Sequence, residues 1–258
     1  MRHPKVLAKR GIDYVLRTVL RGYHRDYYSD RWHPHYELRR EALAETVQYI
    51  KAEMTDAMVM DDGFGVLTYA SRHAPDEGLV LEFGVRTGTT TNHLARLWPE
   101  TTVYGFDSFQ GLPEDWTGWT SVEGEFGGEG IPTVADNVEL VVGWFDETLP
   151  GFVRDHRAQV ALVHIDSDLY SSARTILSNL APQIAVGTVI VFNEYFNYPN
   201  WKEHEFKAFQ EFCRDHSVEY DYLCWGLYEV AVRIRFIAAA SGDSPDETPP
   251  PGPEATSG

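Results

Sequence analysis

The sequence predicts an α/β protein built on a mostly parallel sheet with helices on both faces. Three observations carry this. Short apolar runs alternate with segments of helical spacing, the pattern of β-α units. The first run, Leu79-Val80-Leu81-Glu82-Phe83, enters a Gly turn, Gly84-Val85-Arg86-Thr87-Gly88, that opens a helix. The second run ends in a carboxylate, Asp107, 19 residues after Gly88, where doubly wound nucleotide folds place an acid for ribose hydroxyls.

The elements follow in order. Residues 5–28 space Val6, Ile12, Val15, Val19 and Tyr23 as an amphipathic helix with arginines between them. It fits either an anionic surface or a packing face on its own domain or a second copy. The aromatic stretch 27–36 ends it and reads as a lid or as ordinary surface. Helices are expected over 37–56 and 63–72. Strand one is 79–83, with Gly84 and Gly88 permitting close backbone approach. The helix near Thr89 has Thr87, Thr89 and Thr90 available as caps, and the free amides at its start attract an anionic group. Strand two is 102–106. Residues 108–136 are long, Gly-rich and irregular. Strand three is 138–142, ending at Gly143 and Trp144, and a helix near 147–156 follows. Strand four is 160–165, ending at Asp166. The helix 170–180 leads to strand five, 188–192, which ends at Asn193 and Glu194, and then to a helix over 203–214. Residues 218–223 and 228–236 alternate with period two across a short connection, the mark of an antiparallel hairpin. The tail 239–258 is rich in Ser, Pro, Gly and acids and is expected to be disordered. The division is therefore a helical extension over 1–60, one α/β domain over 61–238, and the tail.

The 258 residues carry a net charge of −17, which argues against nucleic acid as a partner. Residues 1–40 hold ten Lys or Arg and four Asp or Glu, so the basic charge is concentrated there. Two cysteines, Cys213 and Cys224, make neither a disulfide framework nor a zinc spacing. With no signal-peptide core and no apolar run near 18 residues, a cytoplasmic protein is the expectation.

In open α/β sheets ligands bind at the carboxyl ends of strands. Those ends here carry Glu82, Gly84, Asp107, Gly143, Trp144, Asp166, Asp168, Asn193 and Glu194. So many carboxylates need a cation or water. Their oxygens suit Mg²⁺, and a sulfonium cofactor gains from the same field. Glu82 is read as a ligand or as an acceptor for its own turn. Trp144 stacks on an adenine or packs in the core. Asp168 is read as a helix cap, His164 as a core histidine, and His204 as part of a solvated face.

Four blocks carry a family resemblance: Glu82-Phe83-Gly84; Tyr104-Gly105-Phe106-Asp107-Ser108-Phe109-Gln110-Gly111-Leu112-Pro113; Gly143-Trp144-Phe145-Asp146-Glu147-Thr148-Leu149-Pro150; and Ile165-Asp166-Ser167-Asp168-Leu169-Tyr170-Ser171-Ser172. Over residues 78–236 the chain resembles the macrocin O-methyltransferases, S-adenosylmethionine-dependent enzymes that methylate sugar hydroxyls. The resemblance implies a Rossmann-like class I methyltransferase fold with a seven-stranded sheet. It implies an S-adenosylmethionine site using Glu82, Gly84, Asp107 and Ser108, to which the reading of the Gly turn and strand ends adds Thr87, Gly88, Thr89, Gly143, Trp144 and Asp166. It implies Mg²⁺ held by Asp166 and by the residues ending strand five, here Asn193 and Glu194 in place of the usual Asp-Asp pair. On this reading Asp166 takes the hydroxyl proton, His204 is a reserve base, and Tyr195, Tyr198 and Trp201 wall the sugar. The acceptor is a small molecule or oligosaccharide, and the chain is a homodimer or higher form through its N-terminal helices. A catechol-like methyltransferase, an inactive cofactor-binding scaffold and an NAD-dependent dehydrogenase are the alternatives; the last lacks its third glycine.

Overall fold

A computed structural model describes residues 33–238. The helix expected over 5–28, most of the aromatic stretch after it and the tail 239–258 lie outside the described residues.

The chain runs α1 (Pro34–Glu53), β1 (Met58–Val59), α2 (Gly63–Ser71), β2 (Leu79–Phe83), α3 (Thr89–Leu97), β3 (Val103–Asp107), β4 (Val138–Val142), α4 (Phe145–Asp155), β5 (Val160–Ile165), α5 (Tyr170–Leu180), β6 (Val189–Phe192), α6 (Glu205–Asp215), β7 (Glu219–Trp225) and β8 (Val230–Phe236). Short 3₁₀ turns cover Ala181–Gln183 and Trp201–Glu203. Helix α1 starts earlier than the sequence suggests, because Pro34 fits a first turn and His33 Nδ1 accepts from the His35 amide at 3.2 Å. His33 to Tyr36 therefore cap and open a helix.

One sheet holds all eight strands in the order β1-β7-β8-β6-β5-β2-β3-β4. The pairs β6–β8 and β7–β8 are antiparallel and the rest are parallel. The eighth strand corrects the expected count of seven. Met58–Val59 is a two-residue edge strand beside Cys224 and Trp225, too short to leave a periodic signal.

The pleat sorts β2 between two cores. Leu79, Leu81 and Phe83 join Leu149 and Phe152 of α4, Ile176 of α5 and Phe209 of α6. Val80 joins Val66 and Leu67 of α2 and Leu94 of α3. Every residue of β2 and β5 is buried, as a parallel sheet covered on both faces requires. The chain leaves β2 toward β3 and β4 on one side and reaches β5 and β6 on the other. The carboxyl ends of β2 and β5 thus flank the point where the winding reverses, and the crevice opens there.

Candidate functional site

A cavity of about 350 Å³ sits over those ends, lined by residues from the turns after β2, β3, β5 and β6. Gly84 and Arg86 come from the first turn, and Asp107 and Ser108 from the second. Asp166, Ser167 and Asp168 follow β5, and Asn193 and Glu194 follow β6. Trp144 and Phe145 enter from the start of α4.

Asp107 organises the Gly turn. One carboxylate oxygen accepts the amides of Val85 and Arg86 at 2.9 and 2.7 Å, and the other accepts the Phe109 amide at 2.7 Å. Three backbone donors fix the carboxylate at the cavity wall, and of its roughly four lone-pair sites one is left for a ligand. Arg86 at φ 48 and Gly84 at φ 98 make the turn tight. The Arg86 side chain, which the sequence reading missed, lies 4.8 Å from the Phe126 ring and pairs with Glu129 at 3.2 Å.

Glu82 does not reach the cavity. The pleat puts it on the same side of β2 as Val80, opposite His164 in register. Its carboxylate accepts from Thr91 of α3 and bonds His164 Nδ1 at 2.9 Å, all three residues being buried. His164, in that pair, titrates above the usual range: burial, the largest single cause, opposes the shift, but the Glu82 hydrogen bond and the charges of Glu82, Asp166 and Glu229 together outweigh it. The structure thus makes Glu82 a buried tie beneath the turn, in place of a cofactor ligand.

Thr87, Gly88 and Thr89 are also absent from the lining. Gly88, at φ 74, begins α3 without a side-chain cap, and the two threonine hydroxyls bond each other at 2.9 Å. The returning stretch of the excursion covers this start: a Cβ on Gly88 would meet Val134 at 3.2 Å, and the Ala135 amide donates to Asn92 Oδ1 at 2.8 Å. Gly143, at φ 144, donates to the Asp107 carbonyl at 3.0 Å and supports the wall from behind. Trp144 borders the cavity and is half-buried, so full core packing does not describe it.

The acids converge on the other half. Carboxylate oxygens of Asp166, Asp168 and Glu194 all lie within 4.8 Å of one another. Asp168 is no helix cap; Leu169 holds the N-cap position of α5, and Asp168 at φ 64 turns into the cluster. Asn193 Nδ2 donates to Asp166 Oδ1 at 3.1 Å and to Glu194 Oε1 at 2.7 Å, so it brackets the carboxylates. Beneath them the buried Glu205 accepts the amides of Ser167 and Glu194 at 3.2 and 3.1 Å. Burial, and after it repulsion among these neighbours, pushes Asp168, Glu194 and Glu205 up from the carboxylate range. Burial raises Asp166 as well, against the pull of His164.

The expected aromatic wall is displaced. Tyr195, Tyr198 and Trp201 are at most 1% exposed and belong to the core. Tyr195 packs on Phe192 and Phe206, its hydroxyl 3.0 Å from that of Tyr222; Tyr198 donates to the Glu194 carbonyl at 3.2 Å; and Trp201 meets Phe206 edge-on. Trp116, Trp119 and Phe126, from the irregular excursion, line the cavity instead. His204 is buried at 6% exposure, lies off the cavity and is engaged with Thr117, so neither a solvated face nor a reserve base describes it. Among the described residues, no helix is long and apolar enough to cross a membrane.

Comparison with known proteins follows the same lines. Residues 81–195 match a methyltransferase domain. The 8-demethyl-8-(2,3-dimethoxy-alpha-L-rhamnosyl)-tetracenomycin-C 4'-O-methyltransferase of Streptomyces olivaceus is 29% identical over 111 residues, covering 36% of this chain and 41% of that protein. The demethyldecarbamoylnovobiocin O-methyltransferase of Streptomyces niveus is 34% identical over 68 residues, covering 26% of this chain and 25% of that protein. The matches thus span less than half the length of either curated relative. The crystal structure of CalS11, a calicheamicin methyltransferase, superposes with a TM-score of 0.52 at 23% identity, covering 65% of this chain and 75% of that one, and shares the fold. Residues 81–195 are thus similar to a methyltransferase domain, and the sheet shares its fold with CalS11, as the macrocin-type resemblance implies.

Proposed function

We propose that the chain transfers a methyl group from S-adenosylmethionine to a hydroxyl of a sugar or glycosylated metabolite, with Mg²⁺ bound at Asp166, Asp168 and Glu194. One observation carries this reading: the acid cluster and the Asp107-braced Gly turn open into a single cavity. The cofactor half is Gly84, Asp107, Ser108 and Trp144, with Asp107 toward the ribose and Trp144 toward the adenine. The acceptor half is the acid cluster and the excursion's tryptophans. The two curated relatives are named as O-methyltransferases, and the first acts on a rhamnosyl compound by its name.

The donor set fits a hard divalent cation. All its ligand atoms are oxygens, and Glu194 Oε2 is buried with no hydrogen-bond partner. Mg²⁺ bound there supplies orientation of adjacent hydroxyls and a lowered hydroxyl pKa. The remaining work falls to the chain. Asn193 holds two carboxylates at fixed spacing, and Glu205 holds the amides of the loops that carry them. Asp166 lines the cavity beside the acceptor half and is the carboxylate placed to take the hydroxyl proton. Positioning oxygen and methyl carbon for in-line displacement supplies a large share of the rate, on the order of 7–11 kcal/mol in the best cases.

Leu38, Leu43 and Val47 of α1 are exposed apolar side chains, which supports a homodimer contact along that helix. The functional reading is tested by turnover of methyl glycosides after chelation, with and without added Mg²⁺. Restoration by Mg²⁺ is expected; full activity in the chelator removes the cation from the reading, and no glycoside methylation removes the sugar.

A further inference from the structure

The excursion after β3 folds a tight hairpin over the acceptor half. The Trp116 amide donates to the Ser121 carbonyl at 3.0 Å and the Trp119 amide to the Trp116 carbonyl at 3.3 Å. The two indoles stack with centroids 5.1 Å apart and planes 17° apart, and both border the cavity. Tyr198 and Tyr228 hold Trp119 edge-on at 5.6 and 5.7 Å. Arg39 lies 5.8 Å from the same ring while donating to the Tyr228 hydroxyl at 2.9 Å. At the hairpin tip Gly118 has φ 87, and a Cβ there would lie 2.0 Å from the Pro199 carbonyl oxygen, so the hairpin is pressed directly on that segment.

His204 ties this hairpin down. Its Nε2 stands 2.7 Å from the Thr117 carbonyl, which can only accept, so Nε2 carries the proton. Its Nδ1 is buried without a partner, and burial favours the neutral ring. The next residue, Glu205, holds the Ser167 and Glu194 amides. Two adjacent residues at the start of α6 therefore anchor the indole pair and the acid loops.

A pyranose ring offers hydroxyls at its edge and C–H groups on its face. Carboxylates serve the first, and an aromatic surface covers the second. Trp116 is 4% exposed and backs the half-buried Trp119. Resting on the proposed sugar methylation, we infer that Trp119, backed by Trp116, is the platform on which the acceptor's sugar ring stacks, and that His204 is a positioning residue that fixes this platform relative to the acid cluster.

The test uses the full chain with methyl glycosides of rhamnose, glucose and galactose as probes, and S-adenosylhomocysteine calorimetry to report on the fold and cofactor half. Trp119→Ala raises KM for the best glycoside about tenfold, the order of one aromatic contact, with S-adenosylhomocysteine affinity unchanged. His204→Ala raises KM and lowers kcat, and His204→Gln, which restores an N–H donor, recovers most of both. A wild-type KM in Trp119→Ala, or His204→Gln as impaired as His204→Ala, overturns the inference while the function stands. Wild-type protein that binds S-adenosylhomocysteine and methylates none of the glycosides overturns the sugar reading, and the platform with it.

Discussion

A methyl group placed on Gly84 would lie 1.8 Å from the carbonyl oxygen of Asp166. The turn after β2 and the loop after β5 are thus in direct backbone contact, and the Asp166 amide donates to the Phe83 carbonyl at 2.8 Å just below. The Gly-turn half and the acid half of the cavity share one seam.

Gly84→Ala must either move that seam or break it, since the clash is with backbone and φ is 98. The expected loss is about 2 kcal/mol or more, a fall in Tm of roughly 4–8 °C, together with lost cofactor binding. Thermal melts and calorimetry check this, and wild-type values in both would show that the seam yields freely.

Asp107→Ala removes the acceptor for three backbone amides. Hydrogen bonds to a charged group contribute about 1.5–3 kcal/mol each, so the Gly turn loosens and S-adenosylmethionine affinity falls by about tenfold or more. Unchanged affinity would remove Asp107 from the cofactor half.

Asp166→Ala takes one oxygen donor from the cluster and one partner from Asn193. Turnover is expected to fall at least about 100-fold, the order for removing one preorganised electrostatic group, while cofactor affinity stays within a few-fold. Near-normal turnover would exclude Asp166 from the chemistry.

The raised carboxyls give the cation-free protein a definite pH dependence. Asp166 is pushed up to about 6 and Asp168 to about 8, burial being the largest cause in each. In the unfolded chain both ionise near about 3.9. Between those limits the folded form binds more protons, so stability present below about pH 4 is lost as pH rises through about 6 and then about 8. Melts in chelator should show Tm falling from pH 5 to 8.5, and Mg²⁺ should raise Tm at pH 8 but not in Asp166→Ala. Indifference to Mg²⁺ at pH 8 would argue against a cation site.

Periodicity and strand ends made much of this legible. Gly84, Asp107, Asp166, Asn193 and Glu194 reach the cavity because open α/β sheets expose those positions. What escaped depended on single dihedrals or on structure without a period. Glu82 fell to the wrong side of one pleat. Asp168 joined the acids only because its φ is 64. Trp116 and Trp119 lie in an aperiodic excursion, so only the three-dimensional fold places them at the site. Tyr195, Tyr198 and Trp201 follow a strand end, yet the 192–206 segment folds them into the core with Tyr49 and Phe206.

The most direct measurement follows the methyl group itself. The full chain, with Mg²⁺, methyl-labelled S-adenosylmethionine and the panel of methyl glycosides, should yield label in an O-methyl ether on the sugar ring and one S-adenosylhomocysteine per label. Tight binding of the labelled cofactor with no label on any sugar oxygen would contradict the account.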